Sequence, residues 1–185
     1  MTNPFAGSSV GDFAAFGRYP QTAEGEAAAV EWLVLARDED RLLAVSRYGL
    51  DVREFDSVSS CWARSNIRGW LNNDFYSAAF NDEEKGLVAP VNDDRVFLLS
   101  IEEAGEYFSV AGARRCRPTP YAVAKGAVLD EEEGAYGRWW LRSPYPGFRN
   151  GVYFVTCYGL FNCCCYAKGY AAVVRPALWI GLGSD

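Results

Sequence analysis

Residues 138–180 constrain this chain more than any other stretch; they read RWWLRSPYPGFRNGVYFVTCYGLFNCCCYAKGYAAVVRPALWI. A strand with one face in water alternates apolar with polar residues. Here Trp139 and Trp140 are neighbours, so in a strand they face opposite sides, and each can bury roughly 150–250 Å². Further on, the window 145–170 holds five tyrosines, three phenylalanines and four cysteines, against eleven, eleven and six in the whole chain. The runs Tyr153-Phe154-Val155-Thr156-Cys157-Tyr158 and Phe161-Asn162-Cys163-Cys164-Cys165-Tyr166 would load both faces of a strand with large or reactive groups. The two ends of the stretch therefore read as structural anchors, and its middle as a surface.

Half of the 185 residues are apolar and 15% are aromatic, enough for one substantial core and too apolar for disorder. No apolar run approaches ~18 residues, so no membrane span is expected. The start, MTNPFAGSSVGDF, lacks the basic-then-apolar order of a signal peptide. The expected location is cytoplasmic by default, with export by another route left open. A net charge of −6 repels nucleic acid at long range, and the short cluster Arg114, Arg115, Arg117 does not reverse it. The absence of histidine removes the usual general base and the commonest metal ligand. Three consecutive cysteines cannot all form bridges within one small domain without strain, so free thiols in a reduced compartment are expected. No loop carries the Asp/Asn spacing of a calcium site, and no cofactor is expected.

In chain order, residues 1–12 read as a flexible N-terminus and 13–185 as one domain. FAAFGRYPQ is extended. VEWLVLAR and RLLAVSRY, joined by Asp38-Glu39-Asp40, read as a hairpin. Ser65 offers an N-cap to a helix whose apolar stripe is Ile67, Trp70, Leu71, Phe75 and Ala78. Asn81 with Glu84, and Ser100 with Glu103, are capping-box patterns opening helices at 82–88 and 101–108. Residues 109–120 read as loop, 121–123 as a brief extended piece, and 130–133 as a solvated acidic tip. VVRPALWI reads as a terminal strand, with Pro176 implying an edge or a bulge. Arg142 and Arg175 lie in apolar sequence and need a carboxylate or backbone carbonyls if buried; structural pairing is preferred to a ligand role. Val152, Val155 and Val174 are assigned to the core.

The signatures FGRYPQ, EWLVL, SNIRGWLNNDFY, FLLSIEEA, WWLRSP and VRPALWI, in that order, resemble a bacterial domain family of uncharacterised function. Its members include variable proteins of diversity-generating retroelements. In those systems an error-prone reverse transcriptase copies a template repeat and scrambles adenines in a C-terminal variable region. The resemblance implies an α+β, C-type-lectin-like fold of the formylglycine-generating-enzyme type, with short helices around small antiparallel sheets and the variable residues on one exposed face. The residue mix fits that origin. Tyr, Phe and Cys codons differ only at the second base, and scrambling the adenines of an Asn codon yields Tyr, Phe, Cys, Ser or Thr. Val155, Gly159 and Ala167 would be fixed positions between variable ones.

The expected function is therefore ligand binding without catalysis. The candidate surface is Tyr145, Phe148, Arg149, Asn150, Tyr153, Phe154, Thr156, Cys157, Tyr158, Phe161, Asn162, Cys163, Cys164, Cys165, Tyr166, Lys168 and Tyr170; Trp139, Trp140, Arg142 and Arg175 are the anchors. Tyrosine and phenylalanine give large contact area at low entropic cost, which favours a protein ligand. A glycan is the alternative, because aromatic faces stack on sugars. Two rival readings use the cysteines. Cys157 with Cys163, Cys164 and Cys165 could supply metal thiolates, although zinc sites favour closely spaced pairs and often histidine. A cysteine-dependent redox enzyme lacks a base beside the thiols.

Overall fold

Alternation of side chains between two cores builds this fold. The computed structural model describes residues 3–130, 134–164 and 171–183. Strands β1 (Phe13–Pro20), β2 (Ala27–Arg37), β3 (Arg41–Ser46) and β4 (Asp51–Glu54) come first. Helix α1 (Asn66–Trp70), a π turn (Leu71–Phe75), α2 (Tyr76–Ala79) and α3 (Asp82–Leu87) follow. Then come β5 (Val88–Ala89), α4 (Ile101–Tyr107), α5 (Ala111–Arg114), α6 (Pro120–Ala124), β6 (Leu129–Asp130) and β7 (Tyr136–Gly137). The chain closes with β8 (Trp139–Tyr145), β9 (Gly151–Val155), β10 (Phe161–Cys164), β11 (Ala171–Val174) and β12 (Ala177–Gly181). The class is α+β, mostly strands in mainly antiparallel sheets with a few short helices. One five-stranded sheet runs β1-β2-β3-β12-β5, a second runs β10-β9-β8-β11-β4, and β6 pairs with β7.

The central strands of both large sheets are covered on both faces. Leu42, Ala44, Trp140, Val152, Phe154, Val174, Leu178 and Ile180 join one core with the α1 residues Ile67 and Trp70. Their neighbours Leu43, Val45, Trp139, Leu141, Val155, Val173 and Ala177 join the other, with Phe97, Leu99, Ala104 and Phe108. Period-two alternation thus sends Trp139 and Trp140 into different cores. Each indole is satisfied, Trp139 Nε1 donating to Arg114 O at 2.9 Å and Trp140 Nε1 to Arg53 O at 2.8 Å. Val152, Val155 and Val174 are all fully buried. Two cores, and not exposure, account for the doubly apolar pattern of Trp139-Trp140-Leu141 and of much of β9.

VVRPALWI is not one edge strand. Val173 and Val174 end β11 in the second sheet, while Ala177 to Ile180 lie in β12 inside the first, between β3 and β5. Arg175-Pro176 carries the chain between the sheets; proline cannot donate to a ladder, so it falls at the crossing. The Arg175 guanidinium is buried between the rings of Phe108 and Trp139, 5.0 Å from each, and Nε donates to Ser46 O at 3.0 Å. Burial pushes its pKa below the usual arginine range. One carbonyl and two aromatic faces meet it, while Nη1 is buried without a hydrogen-bond partner among the described residues.

Ser65 caps α1 as expected, its side chain accepting from Arg68 N. The buried stripe ends at Ala79 rather than Ala78, because the π turn is wider than an α turn and carries the face one residue on. Both capping boxes form, at Asn81/Glu84 and at Ser100/Glu103. Residues 121–123 are helical and not extended: Thr119 caps α6 and Pro120 occupies its first turn. The N-terminal segment read as flexible is docked from Asn3 onward. Phe5 is fully buried against Phe16, and Asn3 Nδ2 donates to Gly181 O at 2.8 Å.

Candidate functional site

The second sheet carries the candidate surface at the end of β8, β9 and β10. Between Trp140 and Pro144 the β8–β9 register slips: Trp140 pairs with Phe154 and Pro144 with Val152. Arg142 lies in that bulge. Its N–H bonds to Leu99 O at 2.9 Å, and its guanidinium clasps Glu103 at 2.6 and 2.7 Å. Glu103 also completes the cap of α4, so one carboxylate fixes both the helix start and the bulge. Arg142 is thus paired with a carboxylate, and its Nη1 also donates to Leu98 O at 2.6 Å, so both kinds of partner named from the sequence are present.

Beyond the bulge the chain turns through residues 146–150. Tyr145 packs on Phe148 with ring centroids 5.5 Å apart and meets Tyr153 edge-on at 5.2 Å. Phe148 stays 49% exposed, Arg149 is exposed and Asn150 is half-buried. At the other end of β9, residues 156–160 form a tight turn. Thr156 N and Oγ1 bond to Leu160, and Gly159 N donates to Thr156 O at 2.9 Å. Gly159 has φ +78° and sits so close to α5 that a Cβ would lie 1.8 Å from Ala111 O, while Arg114 Nε donates to its carbonyl at 2.8 Å. Tyr158 and Leu160 project at this tip, 47% and 55% exposed.

The candidate residues divide between outside and inside. Phe148, Arg149, Tyr158 and Asn162 are exposed; Tyr145, Asn150, Tyr153, Thr156, Cys157, Phe161 and Cys163 are half-buried. Tyr153 and Phe161 rest against the core that holds Trp139, and Arg114 lies over Phe161, 4.6 Å from its centroid. Phe154 departs from the sequence reading: it is 5% exposed and packs edge-on to Trp140. Its register opposite Trp140 places it on the buried face. Cys164 ends β10, and Cys165, Tyr166, Lys168 and Tyr170 lie outside the described residues.

The thiols that are described stand apart in character. Cys157 donates to Asp130 Oδ2 at 3.5 Å, and partial burial, reinforced by that carboxylate, pushes its pKa up. Cys116 is buried and also raised by desolvation. Cys61 is lowered, first by its hydrogen bond with Arg64. Among the described residues no three Cys, Asp or Glu side chains converge as a metal site requires, and no helix is long and apolar enough to cross a membrane.

One neighbouring element has no counterpart in the sequence reading. Residues 58–64 face the β8–β9 turn across a groove of about 840 Å³, lined by Val58, Cys61, Trp62 and Arg64 on one wall and Pro144, Arg149 and Asn150 on the other. Asp56 shapes the first wall, accepting from the N–H groups of Val58, Ser59 and Asn66 at 2.6–2.9 Å. The signal was present, since Asp followed by serines marks a side-chain-closed turn.

Fold and surface together define an α+β domain that presents aromatic residues beside a groove, from a framework whose central strands are buried on both faces. Residues 91–182, just under half of the chain, match the profile of a family described as Domain of unknown function (DUF6273). That segment contains Trp139, Trp140, Arg142 and Arg175. No curated protein and no solved structure matches the chain.

Proposed function

We propose that this protein is a binding module that carries out no chemistry of its own. In this reading its C-terminal surface is diversified by adenine-directed retroelement mutagenesis on a C-type-lectin-like scaffold, and its ligand is a protein. The observation that carries the reading is the split within the three consecutive strands β8, β9 and β10. Val152, Phe154 and Val155 are locked into cores, whereas Phe148, Arg149 and Tyr158 are exposed on turns held by Gly159, Arg114 and the Tyr145 ring, and Asn162 is exposed on β10. Exposed aromatics on a stiff support suit recognition, because little ordering is lost on association. Aromatic and arginine side chains are the usual interface hot spots.

Sequencing the DNA around the gene tests the retroelement origin. A second copy of the 3′ end, differing only where the copy has adenine and lying beside a reverse transcriptase gene, is the expected result. Its absence would remove retroelement diversification from the account.

A further inference from the structure

We infer that the groove between residues 58–64 and the β8–β9 turn receives an acidic, extended segment of a protein partner. Its lining contains two arginines, Arg64 and Arg149, and no carboxylate, in a chain whose net charge is −6. Both arginines are exposed. Asp56, which shapes the first wall, is only 5% exposed and its oxygens accept from three backbone N–H groups, so it is already engaged and is not a lining residue.

The same bonds make the wall rigid. Ser59 Oγ accepts from Cys61 N at 3.3 Å, and Trp62 Nε1 donates to Asp94 Oδ2 at 2.8 Å. Val58, Trp62, Ala63 and Pro144 add apolar surface to a lining that also holds the two arginines. A peptide that carries acidic residues and an apolar one matches that combination of charge and surface: carboxylates meet arginines in two-pronged pairs, and an apolar side chain covers Trp62. A nucleic-acid strand would meet only two cations against the repulsion of the whole chain. The Arg64 wall is framework, whereas Arg149 and Asn150 belong to the proposed variable surface, so the Arg64 half of the charge preference would be constant and the Arg149 half would vary.

The inference rests on reading this end of the molecule as a partner-binding face. Its test is fluorescence anisotropy with a fluorescein-labelled peptide in which a central leucine is flanked by glutamates, titrated with the whole chain. Saturable binding is expected, weakening as NaCl rises from about 50 to about 500 mM. Arg64→Gln and Arg149→Gln are each expected to weaken it about threefold to fivefold. Arg18→Gln, an exposed arginine on β1 outside the groove, is expected to leave it unchanged, and circular dichroism checks that all three variants fold. The inference is overturned by no saturation up to about 1 mM, by equal binding of the glutamine or lysine version of the peptide, by equal loss in Arg18→Gln, or by tighter binding of a labelled oligothymidylate. Each of these outcomes would leave the diversified-surface reading standing or falling on the gene-neighbourhood test.

Discussion

Replacing Phe154 and Phe148 by alanine, one at a time, separates framework from surface within a few residues of chain. Phe154 keeps 5% of its surface exposed and meets Trp140 at 84° with centroids 6.4 Å apart. Removing a fully buried phenylalanine forfeits up to about 3 kcal/mol of transfer free energy. The cavity left beside Trp140 brings the total to about 3–5 kcal/mol. Phe148 is 49% exposed on a surface turn, so its loss should cost about 1 kcal/mol or less. Urea unfolding followed by tryptophan fluorescence reads the difference directly. With a slope of roughly 2–3 kcal/mol per M, the midpoint should fall by about 1–2 M for Phe154→Ala and by under ~0.5 M for Phe148→Ala. Equal costs, or a cheap Phe154→Ala, would show that β9 does not face the way described and would return Phe154 to the variable surface.

Three further outcomes follow from single contacts. Gly159→Ala combines left-handed backbone strain with a Cβ placed 1.8 Å from Ala111 O; about 3 kcal/mol of destabilisation is expected, seen as a drop of roughly 6–12 °C in Tm by calorimetry. Glu103→Ala strips both the cap of α4 and the partner of Arg142, and should cost about 2–4 kcal/mol in urea titration; Glu103→Gln, which keeps a capping oxygen, should cost less. The Asp56 carboxyl is raised by burial but held below its ordinary value overall by the N–H groups of Ser59, Val58 and Asn66. Because the folded value is the lower one, its contribution is complete above the unfolded value of about 3.9 and is lost as pH falls through the folded value beneath it. Stability measured from pH 6 downward (on the order of one unit per step) should therefore decline less steeply below about pH 4 in Asp56→Asn than in the parent.

Local chemistry was the most legible part of this chain. Ser100 with Glu103, Asn81 with Glu84 and Ser65 each announce a helix within four residues, and all three helices form. The hairpin from VEWLVLAR to RLLAVSRY was equally readable, because its turn is local. Features set by distant partners were harder. Whether Trp139-Trp140 and Phe154 face solvent depends on what covers the second sheet, and that cover comes from residues such as Ile67, Phe97 and Phe108. Docking of Phe5 against Phe16 and the passage of Arg175-Pro176 between sheets are likewise long-range. The helix at 120–124 is a different case: Thr119 followed by Pro120 is a local start signal, outweighed by the neighbouring breakers. Arg142 joins the two kinds. Its need for a carboxylate or backbone carbonyls was plain, but that Glu103 and Leu98 O supply them required the fold.

The binding account requires a surface whose residues change while the framework holds. The most direct measurement is the Tm distribution of a library randomised at Phe148, Arg149, Tyr158 and Asn162, set beside one randomised at Val152, Phe154, Val155 and Trp140. The account predicts that most members of the first library unfold cooperatively within about 5 °C of the parent, while most of the second fail to fold. Similar losses in both libraries would contradict it, because residues that cannot vary without unfolding the chain cannot form a diversified face.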